Sequence, residues 1–239
     1  MRLAMWSGPR NLSTAMMYAF AQREDFAVAD EPFYAAYLAE TGLAHPMRDA
    51  VIAAQPVDPA RVVAQIKGSI PDGKPHFYLK HMAQHMLPHF PRSWLAEVTN
   101  AFLIRHPARV VASFAAKYEN PRLDDLGFLQ QAELFELACS VGRAPVVIDS
   151  ADILADPPGM LTALCAALGL DFDEAMLNWP PGGHPADGVW AAHWYASVHA
   201  STGFGPPEGP LPRLEGRAAE LAAAAMPAYE KLAAGRLTR

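Results

Sequence analysis

Arg2-Leu3-Ala4-Met5-Trp6 followed by Ser7-Gly8-Pro9-Arg10-Asn11-Leu12-Ser13-Thr14 is the stretch that decides the fold. The first five residues are mostly apolar and read as a buried strand. A Gly-Pro turn follows, and a helical pattern runs from Ser13 to Gln22. The first N–H groups of a helix lack internal partners and point out of its end. The helix dipole adds partial positive charge there, so a strand–turn–helix of this kind is an anion site. Arg10 supplies a forked, charged donor beside it. The stretch predicts an α/β chain whose ligand carries phosphate or sulfate. The bland alternative is a capped helix start, with Ser13 as the cap.

The nucleotide-hydrolysing loop reads G-x-x-x-x-G-K-[ST]. Counting from Gly8, Ser13 replaces the second Gly and Thr14 the Lys. The cation that reaches the β- and γ-phosphates is therefore missing. Further strands are expected at Phe26–Asp30, His76–Lys80, Ala101–Arg105 and Pro145–Asp149. Helical patterns lie between them at Tyr34–Glu40, Pro59–Lys67, Pro107–Glu119 and Leu126–Val141. Alternating strands and helices mean a parallel sheet covered on both faces. Ligands of such sheets sit beyond the C-terminal strand ends, where Arg10, Glu31, Lys80 and Arg105 fall. After Asp149 the pattern changes. Met160–Leu168 is a helix stopped by Gly169, Trp179–Gly188 and Gly203–Pro212 are Pro/Gly loops, and Glu215–Leu232 is an Ala-rich helix. No internal repeat is apparent.

A second anion site is expected in Phe102-Leu103-Ile104-Arg105-His106-Pro107-Ala108-Arg109-Val110-Val111-Ala112-Ser113. Pro107 suits the first turn of a helix, and Ser113 lies about two turns in. Arg105 and Ser113 then converge on one phosphate. The competing reading pairs Arg105 with a local carboxylate and turns Ser113 back onto its helix. Pro9-Arg10-Asn11-Leu12-Ser13-Thr14 resembles the 5′-phosphosulfate loop of sulfotransferases, with Asn11 and Leu12 departing from its common form. Arg105 and Ser113, eight residues apart, resemble that family's 3′-phosphate site. The chain thus resembles bacterial cytosolic sulfotransferase-like domains, which occur alone or attached to aminotransferase domains. An aminotransferase label could reach it through such fusions, although no pyridoxal-phosphate motif is visible.

The resemblance implies one sulfotransferase-like domain over residues 1–239, a three-layer α/β/α sandwich of P-loop type with a central parallel sheet. It implies 3′-phosphoadenosine 5′-phosphosulfate as donor, no metal, and a small-molecule acceptor. Arg10, Asn11, Leu12, Ser13, Thr14, Arg105 and Ser113 become its binding residues. Glu31, in Asp30-Glu31-Pro32-Phe33, becomes the candidate general base. Two alternatives compete for Glu31: pairing with Arg10, or capping the helix after Pro32. His81 is a second candidate base and Lys80 a charge stabiliser. His81, His85 and His89 invite a metal reading, but Met82 stands where H-E-x-x-H needs Glu and Pro88 interrupts the run. Trp190, His193, Trp194, Tyr195 and His199 either wall a pocket or pack as core. The rival function is a metal-dependent phosphotransferase or NTPase using Asp149 in Val146-Val147-Ile148-Asp149; a second rival is a non-enzymatic nucleotide-binding protein on the same fold.

Composition narrows the field. The chain has 239 residues and a net charge of −6, which argues against general nucleic-acid binding. Residues 1–120 hold 12 Lys and Arg against 10 Asp and Glu, and residues 121–239 hold 7 against 15, so anion chemistry belongs to the first half. Two cysteines, Cys139 and Cys165, form no metal or disulfide framework. The N-terminal apolar run breaks at Gly8-Pro9, too early for a signal peptide, and no run is long enough for a membrane span. A reducing cytoplasm is the expected compartment. Neither the acceptor nor the oligomeric state is legible.

Overall fold

Alternation along the strands decides which side chains face which layer. In β1 (Arg2–Ser7), Leu3 and Met5 point into one apolar cluster and Ala4 and Trp6 into another. All four are fully buried, as a central strand with both faces covered requires. The computed structural model describes residues 1–116, 121–142 and 144–238. Its other strands are β2 (Phe26–Asp30), β3 (His76–Met82), β4 (Thr99–Ile104) and β5 (Val146–Asp149). They pair in the order β2-β3-β1-β4-β5, each neighbour parallel.

The helices are α1 (Ser13–Ala21), α2 (Tyr34–Thr41), α3 (Arg48–Ala54), α4 (Pro59–Lys67), α5 (Pro107–Ala115), α6 (Phe128–Val141), α7 (Ser150–Ala155), α8 (Pro157–Leu168), α9 (Ala191–Trp194), α10 (Ala196–His199) and α11 (Gly216–Ala233). α1 and α8 pack with Leu3, Met5, Leu103 and Ile148 on one face. α4 and α6 pack with Ala4, Trp6, Phe102 and Val147 on the other. This is the three-layer α/β/α arrangement expected from the alternation of strands and helices. α3 and α7 were not legible as helices in the sequence. The expected helix Pro107–Glu119 is described to Ala115; residues 117–119 lie outside the described residues.

The strand order creates a switch point. From β1 the chain crosses over β3 to reach β2, whereas from β4 it continues outward to β5. The connections leave the ends of β1 and β4 in opposite directions, which opens a crevice there. Buried Gln131 of α6 donates from Nε2 to the carbonyls of Trp6 (3.0 Å) and Leu103 (2.9 Å). Asn11 donates from Nδ2 to the same Leu103 carbonyl at 3.1 Å. These bonds satisfy strand-end carbonyls that the separating strands leave behind.

Candidate functional site

The loop after β1 is wound by two left-handed residues, Arg10 (φ 62°) and Leu12 (φ 66°). Such a conformation is costly for a bulky side chain and persists where the surroundings fix it, often at functional sites. Alternating left- and right-handed residues turn successive N–H groups inward as an anion-binding concavity. Leu12 stands at the N-cap of α1 and offers no side-chain cap. The first helical N–H groups therefore open toward the cavity beyond the strand ends. Ser13 is not the cap that the alternative reading assigned; it is already helical and buried.

That cavity has a volume of about 620 Å³ and is lined from Pro9 through Ala15, and by Glu31, Lys80 and Arg105 among others. Arg10 donates from Nε to Ser113 Oγ at 2.9 Å. Arg105 donates from Nη1 to the Arg10 carbonyl at 2.6 Å. The fold thus brings Arg10, Arg105 and Ser113 together across about a hundred residues of sequence. Burial and the nearby Arg105 both pull the Arg10 guanidinium below its ordinary pKa. Partly buried like charges of this kind are relieved by an anion. Arg105 also meets a carboxylate, as the competing reading held. That carboxylate, Glu208, is not local: it lies 103 residues away.

The opposite side of the cavity holds a buried charge cluster. Lys80 Nζ, from within the C-terminal half of β3, lies 2.8 Å from Asp30 Oδ1 and 2.7 Å from Glu31 Oε1. Lys80 also donates to the Tyr195 hydroxyl. That hydroxyl donates to Asp30 Oδ2 at 2.8 Å and accepts from Trp190 Nε1 at 2.9 Å. Burial works against the Lys80 charge, yet Asp30 and Glu31 outweigh it and raise its pKa. Burial raises the Asp30 carboxyl, with Lys80 opposing the rise and Glu31 adding to it. Glu31 sits at φ 43°, another left-handed backbone, with Oε1 bound to Lys80 and Oε2 left toward His85 Nδ1 at 3.7 Å. Its ion-pair partner is Lys80; Arg10, the partner weighed in the sequence, bonds Ser113 instead.

His81 does not reach this cavity. Its side chain points to the opposite sheet face and stacks on Trp6 with ring centroids 4.4 Å apart. Burial, and then His85, press its pKa down to about 3. His85 is packed between Tyr34 (centroids 4.4 Å) and Tyr37 (4.8 Å) and lines the cavity. His89 is exposed, 3.3 Å from Glu40, so the three histidines do not converge. Asp149 caps α7 through Ala151 N (2.8 Å) and accepts from Tyr229 (2.8 Å). Among the aromatics, Trp190 is core, while Trp194 and Tyr195 line the cavity. Gly188 is required beside Trp190: a Cβ there would lie 2.1 Å from the indole ring.

A family description, the sulfotransferase domain, matches residues 1–236. The chain belongs to the sulfotransferase domain family. Three solved sulfotransferases share its fold. The enzyme from Alicyclobacillus acidocaldarius superposes with TM-score 0.56 at 14% identity, over 99% of this chain and 96% of that one. The sulfotransferase domain of the curacin biosynthetic pathway gives 0.55 at 15% identity, over 93% and 96%. That of the Synechococcus PCC 7002 olefin synthase gives 0.50 at 19%, over 94% of each. Branched-chain-amino-acid aminotransferase-like proteins 2 and 1 of Arabidopsis thaliana are 37% identical over 203 residues and 40% over 204. The match covers 85% of this sulfotransferase-family chain but 36% of each plant protein. The chain therefore spans about a third of the length of these relatives.

The sequence reading overlooked Asp30, Arg109 and Glu208, and it named Tyr195 only as a pocket or core aromatic, not as a partner of Asp30. Asp30 carried a signal, because a carboxylate ending a buried strand demands a partner. The partners of Tyr195 and Glu208 carried none, since only the fold brings these residues to others a hundred or more positions away.

Proposed function

We propose that this chain transfers a sulfuryl group from 3′-phosphoadenosine 5′-phosphosulfate to a hydroxyl or amine of a small acceptor. The observation that carries the reading is the uncapped N-terminus of α1 opening, with Arg10 and Arg105, into the cavity that Glu31 and Lys80 also line. The donor's 5′-phosphosulfate is assigned to the Arg10–Thr14 loop and its 3′-phosphate to Arg105 and Ser113. Asn11 serves the loop from beneath, its amide turned onto Leu103.

The acceptor oxygen attacks sulfur in line, the sulfur–oxygen bond to the donor phosphate breaks, and the acceptor proton passes to Glu31 Oε2. Loop N–H groups and Arg10 stabilise the charge that develops on the departing phosphate. Lys80 orients Glu31 by its bond to Oε1. His81, on the other sheet face, has no place in this scheme. The acceptor end of the cavity is walled by Tyr34, Tyr37, His45, His85 and Trp194. Residues 1–239 act in this reading as one cytoplasmic domain without a metal ion; among the described residues no helix is long and apolar enough to cross a membrane.

Calorimetry with adenosine 3′,5′-bisphosphate and AMP tests the assignment. Charge-assisted bonds to the second phosphate contribute about 1.5–3 kcal/mol, a preference of roughly tenfold or more. It should survive EDTA. Equal affinities, or binding that needs Mg²⁺, would overturn the reading.

A further inference from the structure

Arg105 and Arg109 do not stand open. Glu208 Oε1 accepts from Arg105 Nε at 2.9 Å and from Arg105 Nη2 as well. Its Oε2 lies 2.8 Å from Arg109 Nε, but out of hydrogen-bond alignment, and is buried without a hydrogen bond. The Glu208 side chain is 8% exposed, although Pro206, Pro207, Gly209 and Pro210 around it are exposed. From residue 204 to 214 the chain contributes no backbone–backbone hydrogen bond among the described residues. Arg109 donates to the Gly209 carbonyl, and Phe204 and Leu214 settle the two ends against apolar clusters. A Pro/Gly segment is thus tied at its middle by one carboxylate on two guanidiniums.

Carboxylate and phosphate present the same forked chemistry to arginine. They differ in capacity: the carboxylate offers two oxygens and one charge, the phosphate monoester three oxygens and nearly two charges. One Glu208 oxygen is already poorly satisfied, and Arg10 adds a third guanidinium close by. Removing a buried carboxylate from arginines without replacement strands their charge. Exchanging it for a phosphate does not, and Glu208 regains its hydration on an exposed segment.

Resting on the donor reading above, we infer that Glu208 is a specificity-determining residue: its carboxylate occupies the second anion site, and a nucleotide bearing a second phosphate displaces it and releases the 205–213 segment. A nucleotide with a 5′-phosphate alone brings no group able to compete and binds with Glu208 still seated. Glu208 therefore moderates affinity for the bisphosphate while leaving the monophosphate untouched.

The test compares wild type with Glu208→Gln, which keeps shape and removes charge. Calorimetry should show adenosine 3′,5′-bisphosphate bound roughly threefold to tenfold more tightly by the variant, a cost smaller than the gain from the second phosphate because a carboxylate brings one charge against nearly two. AMP affinity should stay within about twofold, an effect below that of a single hydrogen bond. In wild type, trypsin cleavage after Arg213, at the end of the segment, should rise on adding the bisphosphate and not on adding AMP. Weaker or unchanged bisphosphate binding by Glu208→Gln overturns the inference, because Glu208 then serves to order the arginines. Should the variant misfold, cleavage of wild type decides: a segment cut no faster in the bisphosphate complex overturns it. Failure of both proteins to bind the bisphosphate overturns the donor reading and the selectivity role together. Melting with inorganic sulfate separates the two failures, since stabilisation of the variant alone still reports an anion site that Glu208 had filled.

Discussion

Replacing Lys80 by Met removes a cation bonded to two buried carboxylates. The three side chains are 1%, 1% and 9% exposed for Lys80, Asp30 and Glu31. Methionine fits the volume of the aliphatic stem, so the loss is almost wholly electrostatic. Breaking a buried ion pair by deleting one partner costs about 3–5 kcal/mol. At about 2–4 °C per kcal/mol for a chain of this length, the melting temperature at pH 7 should fall by roughly 6–20 °C. The pH dependence gives a sharper test. Burial already holds Asp30 above its ordinary pKa, against the pull of Lys80, and losing Lys80 raises it further. A carboxyl whose folded pKa exceeds its unfolded value near 4 stabilises the fold below that pH. That stability is lost as pH rises through the folded value. The deficit of Lys80→Met should therefore be smallest near pH 4–5 and full at pH 7–8. Adding Asp30→Asn should recover part of the loss at neutral pH. The assay is thermal or urea unfolding of the three proteins across this range. A Lys80→Met protein melting within about 2 °C of wild type at pH 7, well short of a buried-pair loss, would refute the picture of a tightly coupled buried triad.

Three further outcomes follow from the site. Glu31→Gln should leave bisphosphate binding nearly intact and lower turnover, once an acceptor is in hand, by roughly 10²–10⁴-fold; full activity would reject Glu31 as base. Arg105→Ala should do the reverse, weakening the bisphosphate by roughly tenfold or more while AMP changes little, as titration calorimetry would show. Gly8→Ala places a methyl 2.6 Å from the Leu126 carbonyl oxygen, a backbone atom that cannot swing aside. It should destabilise by about 1–3 kcal/mol and weaken nucleotide binding through the displaced loop; an unchanged melting curve would contradict that contact.

Much of the architecture was legible because the signals are local. Short apolar strands separated by helical patterns specify a parallel sheet, and all five expected strands form, β2 at its expected bounds and the others with one or both ends shifted by a residue or two. The anion loop was legible because turn chemistry, a helix start and Arg10 lie within eight residues. Helices α3 and α7 were missed because each is a short segment held by packing rather than by its own periodicity.

Sequence alone determined the fold class and the chemistry near each strand end: a cationic loop after β1, a carboxylate after β2, a lysine late in β3 and an arginine after β4. Tertiary structure decided how those groups are engaged. The β3 pleat sends Lys80 toward the cavity and the next residue, His81, onto Trp6, because neighbours in a strand face opposite sides of the sheet. The register that fixes which side is which comes from the neighbouring strands. Only the folded chain brings Tyr195 from the α9–α10 corner onto Asp30, and Glu208 from a Pro/Gly segment onto Arg105. A side chain's charge is written in its own position, but the partner that neutralises it is chosen by distance in space, and no local pattern encodes that distance.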